Sequence, residues 1–202
     1  MLLLSIWDDL QQWDRHLLTL INKDGSSPVL DVVLPFLRES QFWVPFYLFM
    51  ILFMTINFKT KGWWWVLAFV LTAALTDIIS SHIIKENILR MRPCRDQLIM
   101  SDIIFRVTYC PKSSSFTSSH ATSHFALGMF IWQTLKRLSK WWGMIFLWAF
   151  AICYTQVYVG VHYPLDVICG GLLGCGIGAF MAYMYARQFG LIIFDKTTSL
   201  PI

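Results

Sequence analysis

Five apolar runs, residues 41–58, 63–84, 119–136, 141–159 and 164–186, leave this chain little choice of solvent. Each comes close to the roughly 20 residues that a helix needs to cross the ~30 Å hydrocarbon layer of a bilayer. Charged residues make up only 14% of the chain, against about 25% in a typical soluble domain. The pattern predicts an all-α, polytopic membrane bundle of about five transmembrane helices, forming one domain over residues 1–202. Tryptophans gather at the ends of runs, at Trp43, Trp63-Trp64-Trp65 and Trp141-Trp142. That is the distribution of an interfacial aromatic belt, the alternative being large apolar core residues.

The first 40 residues differ. In IWDDLQQWDRHLLTLIN the residues Trp7, Leu10, Trp13, Leu17 and Leu20 fall at helical spacing, with Asp8, Asp9, Asp14 and Arg15 on the other face. This predicts an amphipathic helix lying on the membrane rather than crossing it. It has no basic n-region and no sufficient apolar core, so it does not read as a signal peptide. Asp24-Gly25-Ser26-Ser27-Pro28 breaks it.

Basic residues set the expected orientation. Lys59, Lys61, Lys136, Arg137, Lys140, Arg187 and Lys196 share one side of the bundle, with Asp195 as the acid among them. The short loops on that side are basic, which places it in the cytoplasm. The N-terminus, the long polar loop 85–118 and His162 then lie outside. Cys94 and Cys110 flank that loop and could pair if it faces an oxidising compartment. Cys153, Cys169 and Cys175 sit in apolar segments as small buried hydrophobes. Gly170, Gly174 and Gly178 recur every four residues, a spacing that lets helices approach closely in lipid. Packing within one monomer is the simpler reading of that stripe, and a dimer interface the other. Asp77, mid-run, reads as structural support with His82, Ser80 and Ser81 near it in sequence.

Three stretches with chemical content fall on the outer side. In KENILRMRP, Lys85 and Arg92 are seven residues apart. That is about two helical turns, so they share one face if the second helix continues that far, and Pro93 ends or kinks it. Two cations at a helix mouth either meet an anion or snorkel to headgroups. In FTSSHATSHFALG, Ser118 or Ser119 caps the third run and His120 falls in its first turn. A helix start with free N–H groups and hydroxyls is an anion site. His120 and His124 are four apart, but no glutamate or third ligand accompanies them as in a zinc site. In YTQVYVGVHYPLDV, Pro164 suits the first turn of the last helix, and Asp166 falls in the same turn. Asp166 is close enough to accept a hydrogen bond from one ring nitrogen of His162. The other nitrogen is then a more basic lone pair, the logic of a triad with histidine as nucleophile.

These stretches read Lys85-x6-Arg92-Pro93, Thr117-Ser118-Ser119-His120 and Thr155-Gln156-x5-His162-x3-Asp166. In that order, and beside apolar runs, they resemble the motifs K-x6-R-P, P-S-G-H and S-R-x5-H-x3-D of the type 2 phosphatidic acid phosphatase family, relatives of the vanadium haloperoxidases. The resemblance covers roughly residues 60–185. It implies that His162 attacks phosphorus to form a phosphohistidine and that Asp166 orients it. His120 would protonate the leaving oxygen and then activate water. Lys85, Arg92, Ser118, Ser119 and the residue at position 156 would hold the phosphate oxygens. It implies no metal and no cofactor, and no nucleic-acid partner is expected.

The chain departs from those motifs at Thr117, Ser119 and Gln156. The first two still allow an anion site at a helix start. Gln156 stands where the family has an arginine, and it keeps an N–H donor but not the charge. Charge-assisted hydrogen bonds are about twice as strong as neutral ones, so the loss amounts to ~2–3 kcal/mol, or roughly 30- to 150-fold in rate, unless compensated. Arg90, Arg95 and Lys112 are the nearby candidates in sequence. The expected activity is hydrolysis of a lipid phosphate or isoprenyl diphosphate at the outer face of a bacterial inner membrane. Undecaprenyl diphosphate, phosphatidate, phosphatidylglycerol phosphate and lipid A phosphates are the candidates, the first favoured by analogy with small bacterial members. The alternatives are a catalytically inactive lipid-phosphate-binding or lipid-transport protein and a small-molecule transporter, although the broken inverted repeats of transporters are not evident.

Overall fold

A computed structural model describes residues 2–191, with side chains from residue 6 onward. Lys196 and Asp195, which entered the charge pattern above, lie outside the described residues. All regular structure among the described residues is helical. The order is α1 (Leu2–Thr19), α2 (Pro28–Arg38), α3 (Val44–Asp77), α4 (Lys85–Asn87), α5 (Ser119–Leu135), α6 (Ile145–Tyr158) and α7 (Pro164–Phe189). A wider, π-type stretch, Ile78–Ile84, joins α3 to the single turn of α4, and a 3-10 turn, Lys140–Met144, leads into α6.

α3 is two helices in series. Lys59 adopts φ 50, ψ −126 inside it, at the short linker that separates the first two apolar runs. A Cβ on Gly62 would lie 2.0 Å from the Met54 carbonyl oxygen. Residues eight apart in a straight helix would stand about 12 Å apart, so the chain folds back sharply here, and only glycine fits. Among the described residues, Ser40–Asn87 and Pro164–Phe189 are the two helical stretches long and apolar enough by themselves to qualify as membrane spans.

α5 is the axis of the bundle. Its first turns are capped by Ser118, whose Oγ accepts from the Ala121 N–H at 3.4 Å. α7 lies directly on it. Added Cβ atoms on Gly170, Gly174 and Gly178 would come within 2.8, 2.2 and 2.2 Å of the carbonyl oxygens of Ser118, Thr122 and Ala126. The glycine stripe therefore serves contact within one chain, as the simpler reading had it. The main apolar core joins both limbs of α3 to α5 and α7 through Met50, Met54, Trp65, Phe69, Phe130 and Tyr185. Trp65 Nε1 donates to Thr134 Oγ1 at 2.9 Å within it.

α1 leaves Trp7 and Trp13 exposed, and one side chain departs from the face expected for it. Asp14 is fully buried, turned inward against the start of α7. The Cys94–Cys110 disulfide closes the long loop on itself. Asn22 ties it to the bundle, donating to the Ile104 and Tyr158 carbonyls at 2.8 and 2.7 Å and accepting from the Ile104 N–H at 2.7 Å. Asp77 is not buried support: its side chain is 64% exposed and sits 4.0 Å from His82 Nε2.

Candidate active site

His162 and Asp166 come together as the short loop after α6 enters α7. Gly160, at φ 80, turns the chain. The Gln156 carbonyl then accepts from the N–H groups of Val161 and His162, each at 3.3 Å. Pro164 starts α7, and Asp166 caps it by accepting from the Tyr163 N–H at 3.0 Å. This is the helix start that the sequence indicated. Its imidazole is nonetheless held less directly than expected. His162 Nδ1 lies 3.6 Å from Asp166 Oδ2, beyond a hydrogen bond. That oxygen already accepts from Ser115 Oγ at 2.5 Å, and Ser115 Oγ is 3.4 Å from Nδ1. The hydroxyl thus sits between the two.

Arg92 reaches the other ring nitrogen. Its Nη1 is 2.9 Å from His162 Nε2 and donates to the Val161 carbonyl at 3.1 Å. Since guanidinium only donates, Nε2 is the acceptor and the proton of the neutral ring resides on Nδ1. The Ser113 and Ser114 carbonyls and the Ser113 hydroxyl hold the rest of the Arg92 guanidinium. Burial first, and the charges of Arg38 and Arg95, bring Arg92 down to about 10 against the pull of Asp166. It remains a cation at neutral pH. Burial also lowers His162, to about 4, with Arg92 adding to the effect and Asp166 opposing it.

Lys85 and Arg92 converge on the site but do not share a helix face. The helix ends at Asn87, Ile88 is extended, and Arg92 has φ −79, ψ 151. The proline that follows disfavours helical backbone at Arg92, so the two cations arrive from separate segments. Lys85 is an electrostatic neighbour of Arg92 and Asp166.

On the opposite side, His120 lies in the first turn of α5, and His124 Nδ1 donates to its carbonyl at 2.7 Å. Ser119, His120, Ser123 and His124 line a cavity of about 490 Å³, together with Tyr47, Ile51 and Phe69 of α3. Ser119 Oγ is in hydrogen-bond contact with Ser80 and Ser81 at 2.8 and 2.9 Å, and the Ser118 N–H donates to the Asp166 carbonyl at 3.1 Å. Gln156 is wholly buried on α6, and neither end of its carboxamide has a partner among the described residues.

Two contributors were missed at the level of sequence, Ser115 and Asp14, and Arg90 was given a different role. Arg90 Nη1 donates to Asp166 Oδ1 and its Nη2 to Asp14 Oδ2, both at 2.5 Å, with the guanidinium stacked 4.3 Å from the centre of the Tyr163 ring. Asp14 Oδ1 also accepts from the Leu165 N–H at 2.8 Å. The N-terminal helix therefore takes part in building the start of α7. No periodic signal could reveal a contact spanning 151 residues. Arg90 and Arg95 had been candidates to replace an arginine at position 156. Arg90 is committed to two carboxylates, and Arg95 Nη2 donates to the Cys110 carbonyl at 3.2 Å.

The profile of the PAP2 superfamily matches residues 63–189, the region holding all three motifs. The chain is 30% identical over 166 residues to the lipid A 4′-phosphatase of Bacteroides thetaiotaomicron, covering 80% of this chain and 72% of that one. It is 54% identical to the undecaprenyl-diphosphatase of Sulfolobus acidocaldarius over a shorter 39 residues, 19% of each chain. The crystal structure of Aquifex aeolicus LpxE superposes with a TM-score of 0.61 at 27% identity, over 83% of this chain and 93% of that one. Motifs, fold and relatives agree: the chain belongs to the PAP2 superfamily.

Proposed function

We propose that the chain hydrolyses the terminal phosphate of a membrane lipid by a metal-independent route through a phosphohistidine on His162. The observation that carries this reading is the buried His162 ring, with its Nδ1 side at Ser115 and Asp166 and its Nε2 lone pair facing Arg92. The Nδ1 proton and the nearby carboxylate stabilise the charge that the ring gains as Nε2 bonds to phosphorus. Arg92 masks that lone pair. An entering phosphate offers Arg92 a stronger, doubly charge-assisted partner, which frees Nε2 and leaves the guanidinium on a phosphoryl oxygen. Lys85, the carboxamide of Gln156 and the α5 start at Ser118 and Ser119 complete the anion's surroundings. His120 gives its proton to the leaving oxygen and then takes one from water as the phosphohistidine is hydrolysed.

The apolar lining from α3 in the His120 cavity suits a leaving group that is a lipid. The two limbs of α3, α5, α6 with its lead-in turn, and α7 make five crossings of an inner membrane, with α1 on its surface. The disulfide in the loop that carries Arg92 supports a site on the outer, periplasmic side, as do the basic short loops opposite. Extensive similarity to a lipid A 4′-phosphatase favours a phosphorylated glycolipid. The second reading is an isoprenyl diphosphate, from the shorter but closer match.

The test is phosphate release by the detergent-purified chain in EDTA, from lipid A, undecaprenyl diphosphate, phosphatidate and phosphatidylglycerol phosphate. Release that vanishes in His162→Ala is expected, and the ranking identifies the substrate class. Absence of release from every lipid, with lipid binding retained in His162→Ala, would favour the lipid-binding or transport alternative.

A further inference from the structure

The site holds a buried glutamine where its family has a phosphate-binding arginine; Arg90 is committed to two carboxylates, and Arg95 is exposed, its Nη2 on the Cys110 carbonyl. Lys112 is exposed on the loop. A different cation approaches from α2. Arg38 is the last residue of that helix, which packs on α6, the helix carrying Gln156. Its Nε is buried without a hydrogen-bond partner, and Arg38 forms no ion pair among the described residues.

The end of α2 is fixed in place. Trp43 Nε1 donates to the Leu37 carbonyl at 2.7 Å. The Trp43 ring meets Trp148 of α6 edge-on at 5.7 Å, and Trp148 meets His124 of α5 at 4.8 Å. Arg38 follows Leu37 and lines a cavity of about 340 Å³ with Phe105 and Tyr109, while Ser40, two residues on, lines the cavity of Ser119 and His120. Arg38 is an electrostatic neighbour of both Arg92 and His120. An Nε–H buried without an acceptor costs free energy unless a partner meets it.

We infer that Arg38 supplies the phosphate-binding charge that Gln156 lacks, reaching the anion from α2 instead of α6. The inference rests on the phosphatase reading above. A purely structural role, in which Arg38 only favours the C-terminal end of the α2 dipole, would affect stability and leave anion affinity alone.

Two readouts on the full chain in detergent separate these cases. One is phosphate release from the best lipid of the panel, and the other is orthovanadate affinity, measured by inhibition and by the rise in unfolding temperature it produces. Arg38→Ala is expected to lose about 30- to 100-fold in kcat/KM, the size of a lost charge-assisted contact, and to weaken vanadate by a similar factor. Arg38→Lys should retain part of both. Gln156→Arg should restore at least about tenfold in the Arg38→Ala background. The inference is overturned if Arg38→Ala binds vanadate like the unaltered chain, or if neither Arg38→Lys nor Gln156→Arg recovers any of the loss. A chain that releases no phosphate at all sinks the phosphatase reading instead, while the vanadate-dependent unfolding shift still decides the role of Arg38.

Discussion

Asp166 and Gln156 are both wholly buried within one short stretch of chain, yet their surroundings are opposite. The Asp166 carboxylate accepts from Ser115, the Tyr163 N–H and Arg90, with His162 Nδ1 close by. The Gln156 carboxamide has no partner among the described residues. An unsatisfied buried amide costs about 1–3 kcal/mol, a cost the fold carries on α6. The contrast separates two tasks. On the nucleophile side the protein fixes a ring and its charge partner in advance, which is how preorganised electrostatics lower a barrier. On the anion side it keeps hydrogen-bonding capacity uncommitted.

The largest expected effects test the fixed side. His162→Ala should lower turnover by ~10⁴-fold or more, since the bond-forming atom is gone. Asp166→Asn keeps the shape but not the charge and should cost about 10³-fold, measured as kcat on the preferred lipid. Asp14→Asn acts at one remove, through Arg90 and the Leu165 N–H. A loss of about tenfold in kcat with little change in KM is expected. Loss in KM alone would mean that α1 contributes to substrate binding instead.

The uncommitted side should behave in the opposite sense toward stability. Gln156→Met removes the unpartnered amide and is expected to stabilise the fold by about 1 kcal/mol in denaturant unfolding, while lowering turnover several-fold. If it destabilises the chain, the carboxamide has partners and the comparison fails.

Acid provides the smallest and most specific test. In the proposed mechanism His162 attacks as the neutral ring, and burial places its ionisation at about 4 rather than 6.5. The acid limb of kcat/KM, set by loss of the neutral His162 ring, should therefore appear only near and below about 4. The unfolded chain takes up a proton near 6.5 that the folded chain refuses until about 4. Stability accordingly falls as pH drops through that window, and is fully present above it.

Sequence made the core of this site legible because its signals are local. The start of α7, with Pro164 and Asp166 four residues from His162, follows from turn and cap chemistry, and so does the Ser118 cap of α5. The glycine stripe marked a close-packing face of α7 for the same reason, though not that α5 fills it. The reading of Lys85 and Arg92 as sharing a helix face failed because helical spacing holds only while the helix does, and the chain leaves it at Ile88. Asp14 was assigned to a water-facing side because periodicity separates polar from apolar residues without showing which polar residue meets a partner. Arg90 is that partner, and it lies 76 residues away. Ser115 carries no motif at all, and its role emerges only when the loop is laid across the start of α7.

The central claim is a covalent phosphohistidine at His162. It is tested most directly by mixing the enzyme with a lipid labelled with ³²P in its terminal phosphate, quenching within milliseconds in base, and mapping the labelled peptide. The account predicts a base-stable, acid-labile label on His162 that is absent in His162→Ala and accumulates when His120→Ala slows its hydrolysis. Release of phosphate without a labelled enzyme, or a label on any other residue, would contradict it.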